Sequence, residues 1–130
     1  MATAEYATRM ARFEILHNPR CSKSREALQR LHDAGEQPTV VEYLTTPPPR
    51  ARLEEILRLL GTDDPRAIMR TGEPIYRELG LAAENDRERL LAALVAHPIL
   101  IERPIVIRDD GRAVVGRPPS RVAELLASDR

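Results

Sequence analysis

Residues 13–35 read FEILHNPRCSKSREALQRLHDAG, and this stretch decides the fold. The apolar run FEIL predicts a short β-strand at 13–16 that stops at the polar turn HNPR. Beyond the turn, apolar residues recur at the spacing of one helix face, at Ala27, Leu28, Leu31 and Ala34. Gly35 then provides a C-terminal stop. The stretch therefore predicts a strand, a loop that carries Cys21, and a helix.

Three further segments have the composition of strands. TVVEYL at 39–44 is rich in β-branched residues. PIVI at 104–107 and RAVV at 112–115 flank the turn residues DDG, and together they predict a β-hairpin.

Helices are predicted between and after these strands. RLEEILRLLG at 52–61 ends in glycine and places four apolar residues on one face, Leu53, Ile56, Leu57 and Leu60. Residues 62–97 are typical of short helices with Asp-Pro, Glu-Pro and Asn-Asp start signals, the first of them running toward Arg70. A last helix begins near Pro118. The predicted order, βαβα, then helices, then ββα, belongs to the α/β class.

At 130 residues, the chain has the length of one domain with a core of its own. We therefore expect a single domain over residues 1–130, with a helical insertion at about 62–97. TPPPR at 46–50 is too short, and too closely flanked by a strand and a helix, to favour a linker between domains. The ends, 1–11 and 127–130, are expected to fray.

Lys plus Arg and Asp plus Glu number 20 each, so the formal net charge is zero. No global field therefore draws the protein to nucleic acid or to an anionic membrane. The single cysteine cannot form an internal disulfide, and we find neither an apolar leader nor the roughly 20 apolar residues of a membrane-spanning helix. We expect a reducing cytoplasm as the location. One cysteine without paired histidine or carboxylate spacing argues against a metal site.

Cys21 lies at the predicted start of a helix, where the first-turn N–H groups have no partner within the helix and the helix dipole is positive. Such a site stabilises a thiolate, and the same N–H groups can hold an oxyanion next to the sulfur. A lone cysteine is more often an inert buried residue. The neighbouring Asn, Pro, Arg, Ser and Lys side chains are too polar for a core, which favours a reactive thiol.

The polar neighbours of this cysteine have two interpretations each. Arg20, Lys23 and Arg25 either favour the thiolate or are solvated charges at the start of a helix. Ser24 either donates a hydrogen bond to the thiolate or caps the helix. His17 either holds a proton near the sulfur or is a hydrogen-bonded structural residue at the end of a strand.

Several separated motifs occur in the order of a known family: HNPRCSKSR, VVEYLTTPPPR, IMRTGEPIYRELGL, AHPILIERPIVI and VGRPPS. They resemble the ArsC arsenate reductase family, and most of all its YfgD-type members, from about Phe13 to the last helix. The resemblance implies a thioredoxin-like fold, with a central mixed four-stranded sheet and a helical insertion.

In the glutaredoxin-coupled enzymes of that family, the residue matching Cys21 attacks arsenate, and glutathione with glutaredoxin completes the reduction to arsenite. The resemblance therefore implies glutathione as a co-substrate, glutaredoxin as a partner, and no bound cofactor. It gives His17 and Ser24 catalytic roles beside the thiolate, and it implies a cis bond before Pro104. It assigns the binding of the oxyanion to three arginines, Arg70, Arg103 and Arg117.

Two other functions remain open. A general glutathione-linked thiol-disulfide oxidoreductase would use the same fold and thiol, although a disulfide has no charge for three arginines to bind. A non-enzymatic regulator that binds RNA polymerase, as Spx proteins of this fold do, typically carries a CxxC motif, and here the second position is Ser24. Ser22 and Lys23 also replace the small pair, such as Gly-Thr, of better characterised relatives, which leaves open the identity of the oxyanion.

Overall fold

The computed structural model of the protein describes residues 12–126, so the ends that we expect to fray, 1–11 and 127–130, lie outside the described residues. The elements follow the chain as β1 (Phe13–His17), α1 (Ser22–Asp33), β2 (Thr39–Glu42), α2 (Arg50–Leu60), α3 (Pro74–Glu78), α4 (Arg87–Ala96), β3 (Ile105–Arg108), β4 (Arg112–Val115) and α5 (Val122–Leu126). Short 3₁₀ turns lie at Pro65–Ile68, Leu81–Ala83, Pro98–Leu100 and Pro119–Arg121.

The chain divides into two compact units, which we call the sheet unit and the helical unit. The sheet unit comprises residues 12–42 and 103–126, and the helical unit comprises Tyr43–Glu102. The helical insertion expected at about 62–97 lies within the helical unit, and its bounds stay a prediction. That all residues form a single domain stays a prediction.

The sheet unit contains one mixed sheet with the strand order β2-β1-β3-β4. β1 pairs in parallel with β2 and antiparallel with β3, and β3 pairs antiparallel with β4. The α/β class and the mixed four-stranded sheet are therefore confirmed. One hydrophobic core joins the sheet to α1 and α5 and is formed by Phe13, Ile15, Ala27, Leu31, Val106, Val114, Val122 and Leu125.

Four strand boundaries differ from the prediction. β1 and β3 each run one residue further than expected, to His17 and to Arg108. β2 ends at Glu42 rather than at Leu44, because its pairing partner β1 ends at His17, which lies opposite Glu42. β3 begins one residue later than expected, at Ile105, since Pro104 has no N–H to donate to a neighbouring strand.

The helical unit is built on apolar helix faces that the sequence predicted. α2 buries Leu53, Ile56 and Leu57 completely, and it ends at Gly61, whose φ of 82° is left-handed. The Asp86 side chain accepts a hydrogen bond from the Glu88 N–H and so caps α4.

The helix expected to run from Asp64-Pro65 toward Arg70 is only a short 3₁₀ turn, Pro65–Ile68. It ends at Ile68 instead of running to Arg70, because Met69 forms an isolated antiparallel β-bridge with Ile101. The backbone N–H of Arg70 then donates to the carbonyl oxygen of Leu100 at 2.7 Å. Within residues 12–126, every helix is too short or too polar to cross a bilayer.

Candidate functional site

Cys21 is the N-cap residue of α1, with extended backbone angles of φ −96° and ψ 122°. Its N–H donates to the Asn18 carbonyl oxygen at 3.0 Å, which closes the turn after β1. Its own carbonyl oxygen accepts the first helical hydrogen bond from the Arg25 N–H at 2.9 Å. The thiol is free and half-buried. The loop therefore presents the sulfur at the N-terminus of α1, as the sequence predicted.

The surroundings of the sulfur favour the thiolate. Burial acts to raise the pKa of Cys21, but hydrogen bonding by the backbone N–H groups of Ser24 and Lys23 lowers that pKa. The positive charge of Arg103 and a hydrogen bond from Arg117 act in the same direction. The net result is a pKa of Cys21 below the ordinary value of a thiol.

Strand pairing explains why Arg103 and Arg117 lie together. Arg103 precedes β3 and Arg117 follows β4, and the antiparallel register places Ile105 opposite Val115. The start of one strand and the end of the other therefore meet. One guanidinium nitrogen of Arg117, Nη1, donates to the Arg103 carbonyl oxygen at 3.1 Å, and both residues are half-buried.

Each of these arginines precedes a proline in a cis peptide bond, at Arg103–Pro104 and Arg117–Pro118. The first of the two confirms the sequence prediction. The second was not predicted.

His17 and Ser24 are both buried next to the cysteine loop, with exposed fractions of 5% and 0%. His17 Nδ1 lies 2.6 Å from Ser24 Oγ, and the Asn18 N–H donates to the same oxygen at 3.0 Å. The Ser24 hydroxyl is thus engaged with these two groups, whereas its backbone N–H serves the sulfur. The catalytic roles of both residues stay predictions.

The pKa of His17 lies below its ordinary value. Burial is the main cause, and the positive charge of Arg25 adds to it, while Glu42, opposite on β2, acts to raise the pKa. The neutral imidazole is therefore favoured in the folded protein.

Arg70 belongs to the helical unit, where its Nη1 forms an ion pair with Glu73 at 2.5 Å. Its side chain is 25% exposed, against 16% for Glu73. Binding of an oxyanion by Arg70 stays a prediction.

Arg25 has a contact that sequence reasoning missed. Its Nη1 donates to the Pro19 carbonyl oxygen at 3.0 Å, so the side chain fastens the loop that precedes Cys21. No local pattern indicates this contact, because it depends on how the loop turns back over the first turn of α1. Arg20 and Lys23 are exposed. Among residues 12–126, no three histidine, cysteine or carboxylate side chains are arranged to share a metal ion.

A mixed sheet that begins βαβ, with a cysteine at the N-terminus of the first helix, defines a thioredoxin-like thiol protein. Residues 16–125 match the ArsC family, and the chain belongs to that family. The resemblance inferred from the motifs is therefore confirmed.

Individual relatives agree with this assignment. The chain is 47% identical to the uncharacterized protein YfgD of Escherichia coli (strain K12), over 87% of this chain and 95% of that protein. It is 46% identical to an arsenate reductase of Neisseria meningitidis serogroup A, over 90% of this chain and all of that protein. A solved structure described as a putative arsenate reductase from Yersinia pestis has a TM-score of 0.82 and 48% identity, covering 86% of this chain and 98% of that one. The thioredoxin-like fold is thereby confirmed.

Proposed function

We propose that the protein reduces arsenate to arsenite, with the Cys21 thiolate as nucleophile and with glutathione and glutaredoxin as the source of electrons. One feature of the site carries the proposal: the half-buried Cys21 thiol lies at the N-terminus of α1, where two backbone N–H groups, the charge of Arg103 and a hydrogen bond from Arg117 lower its pKa. The names of relatives such as the Neisseria meningitidis arsenate reductase support the same reaction.

The first step is attack by the Cys21 sulfur on arsenic. A sulfur–arsenic bond forms, and one arsenic–oxygen bond breaks, releasing hydroxide or, after protonation, water. Guanidinium groups present planar pairs of N–H donors that suit a tetrahedral oxyanion, so Arg103 and Arg117 would hold the remaining oxygens. The N–H groups at the start of α1 add fixed positive dipoles where charge develops.

Reduction then needs two electrons, which two external thiols supply. Glutathione displaces a second oxygen from arsenic as water. The glutaredoxin thiolate attacks the glutathione sulfur, and the electron pair of the broken sulfur–arsenic bond stays on arsenic, which becomes arsenic(III). Water then releases arsenite and restores the Cys21 thiol. Glutaredoxin leaves as a mixed disulfide with glutathione, so this chain needs one cysteine, as its sequence has. Dependence on glutathione is the reason to place the reaction in the cytoplasm.

The charge at the site favours arsenate over a disulfide as substrate. The S–S bond at which a disulfide reacts carries no charge for a guanidinium pair to bind, whereas an arsenate dianion gains charge-assisted hydrogen bonds at the reacting atom itself. The polymerase-binding alternative needs a second thiol as a redox switch, and the corresponding residue is a serine with its hydroxyl bound to His17.

The test is arsenite production by the purified protein with arsenate, glutathione and glutaredoxin. We expect turnover that requires all three components and that vanishes in Cys21→Ser. If the protein forms no arsenite but reduces a glutathione mixed disulfide with the same cysteine, it is a thiol-disulfide oxidoreductase and not an arsenate reductase. If both activities are absent, the polymerase-binding alternative is the one to pursue.

A further inference from the structure

Gly116 follows β4 in the sheet unit and is buried. Its N–H donates to the Pro104 carbonyl oxygen at 2.8 Å, extending the pairing of β3 with β4 by one step. A Cβ atom built on Gly116 would lie 2.9 Å from Cγ of Pro104 and 3.7 Å from Cβ of Ala27. Real Cβ atoms do not approach a neighbour as closely as the first of these distances. The glycine is therefore required by close approach and not by a left-handed backbone.

The two residues in this contact are each next to an arginine of the candidate site. Pro104 follows Arg103, and Gly116 precedes Arg117. A second link joins the same pair of segments, because Arg117 Nη1 donates to the Arg103 carbonyl oxygen at 3.1 Å. The separation of the two segments thus depends on how closely Gly116 approaches Pro104.

We propose that Gly116 is a positioning residue: the absence of a side chain lets the Arg103 and Arg117 segments approach closely, and this separation sets where both guanidinium groups lie relative to Cys21. The inference goes beyond the proposed reduction of arsenate, because it concerns how the site attracts any anion that approaches the thiolate.

A methyl group at Gly116 has no free space to occupy. Pro104 is buried, and its carbonyl oxygen is bound to the Gly116 N–H, so the ring cannot move without its neighbours. The start of β3 or the end of β4 must shift by a few tenths of an ångström. Hydrogen bonds from guanidinium groups are directional, so such a shift weakens them while leaving both charges in the protein.

The experiment compares alkylation of Cys21 by iodoacetate, an anion, and by iodoacetamide, which is neutral. In both reactions the thiolate displaces iodide and a carbon–sulfur bond forms, so the two reagents differ chiefly in charge. The rate constant for iodoacetate divided by that for iodoacetamide reports how strongly the site attracts an anion to the sulfur. Neither reaction involves arsenate. We expect Gly116→Ala to lower this ratio about fivefold, the effect of about one lost hydrogen bond.

Gly72→Ala is the matched control. Gly72 is exposed, lies outside the sheet unit and does not have a left-handed φ, and a Cβ built on it meets nothing within 4 Å. We expect this variant to keep the wild-type ratio. A wild-type ratio in folded Gly116→Ala, or an equal loss in both variants, overturns the proposal.

Gly116→Ala also needs a check of folding, by circular dichroism and thermal unfolding. If it is partly unfolded, the ratio is measured in an osmolyte that restores full folding, since osmolytes excluded from the protein surface favour the compact state. A wild-type ratio under those conditions also overturns the proposal. A reduced ratio supports it even if the protein fails to reduce arsenate, so this test and that of the proposed function can fail independently.

Discussion

His17 Nδ1 and Ser24 Oγ lie 2.6 Å apart, and both side chains are buried. His17 is the last residue of β1, and Ser24 is in the first turn of α1. The same serine oxygen accepts a hydrogen bond from the Asn18 N–H at 3.0 Å. This one hydroxyl therefore joins the two ends of the loop that carries Cys21.

Replacing Ser24 with Ala should destabilise the protein. The change leaves the buried His17 ring nitrogen and the half-buried Asn18 N–H without their partner, and an unsatisfied buried group costs about 1–3 kcal/mol. Urea unfolding measures the loss. The control is Ser22→Ala at an exposed position in the same helical turn, for which we expect a change within about 0.5 kcal/mol. Equal effects of the two changes on the free energy of unfolding would show that the buried Ser24 hydroxyl stabilises the protein no more than an exposed one does.

Cys21 should titrate below the roughly 8.5 of a free thiol. The expectation follows from the N–H groups, Arg103 and Arg117, which outweigh burial and lower the pKa of Cys21. Thiolate absorbance against pH measures the midpoint, and Arg117→Gln should raise it. A wild-type midpoint at or above the free value would contradict the reactive-thiol interpretation, and with it most of the proposed mechanism.

His17 should make stability depend on pH. Burial lowers its pKa, so the folded state binds a proton less readily than the unfolded state does. The contribution to stability is complete above the ordinary histidine value of about 6.5, and it is lost as the pH falls through the lower pKa of the folded state. Urea unfolding at a series of pH values should show this loss in the wild type and a weaker one in His17→Gln.

The matched control for that series is His32→Gln, because His32 is exposed. Glu54 and Asp110 also have lowered pKa values, owing chiefly to hydrogen bonds from Arg87 and Arg112 respectively. Carboxyl groups titrate near or below about 4, so their effect is separable from that of histidine. If His17→Gln and His32→Gln change the pH dependence alike, buried His17 is not its source.

The three arginines should matter for arsenate in particular. Charge-assisted contacts are worth about 1.5–3 kcal/mol, so Ala at Arg70, Arg103 or Arg117 should lower kcat/KM for arsenate about ten- to a hundredfold. Lysine at Arg103 should restore only part of the loss, because it keeps the charge without the planar pair of donors. Arg58→Ala, at an exposed site on α2, is the control and should act like the wild type.

A neutral disulfide substrate separates recognition of the oxyanion from support of the thiol. We expect the same arginine variants to affect its reduction much less than that of arsenate. Equal slowing of both substrates would mean that the arginines act on the fold or on the thiol in general, and it would favour the disulfide function.

A crystal grown with sulfate, phosphate or arsenate should show where the anion binds. We expect it at the first-turn N–H groups of α1, with nitrogens of Arg103 and Arg117 at hydrogen-bond distance. An anion bound elsewhere, with the N–H groups of Ser24 and Lys23 still directed only at the sulfur, would contradict the predicted oxyanion site.

The positions of several residues of the candidate site could be predicted, because they lie next to strands, turns and helix starts that the sequence itself indicates. The position of Cys21 follows from a strand, a turn and a helix start that are adjacent in the chain. Arg103 and Arg117 lie near each other at one end of the sheet because they flank the first and the last residues of a β-hairpin. The contact of Arg25 with Pro19 and the close approach of Gly116 to Pro104 were not predicted, since neither leaves a periodic pattern in the sequence.

The sequence by itself determined the local elements and their chemistry: where each strand and helix forms, and that the one thiol lies at a helix start. These features depend on neighbouring residues, through apolar periodicity, glycine and proline. Only the tertiary structure decided that β3 lies between β1 and β4 and that Ser24 Oγ binds His17. The pairing of β1 with β3 joins segments far apart in the chain, and the His17–Ser24 contact crosses a loop, so both are selected by packing of the core and not by local conformational preference.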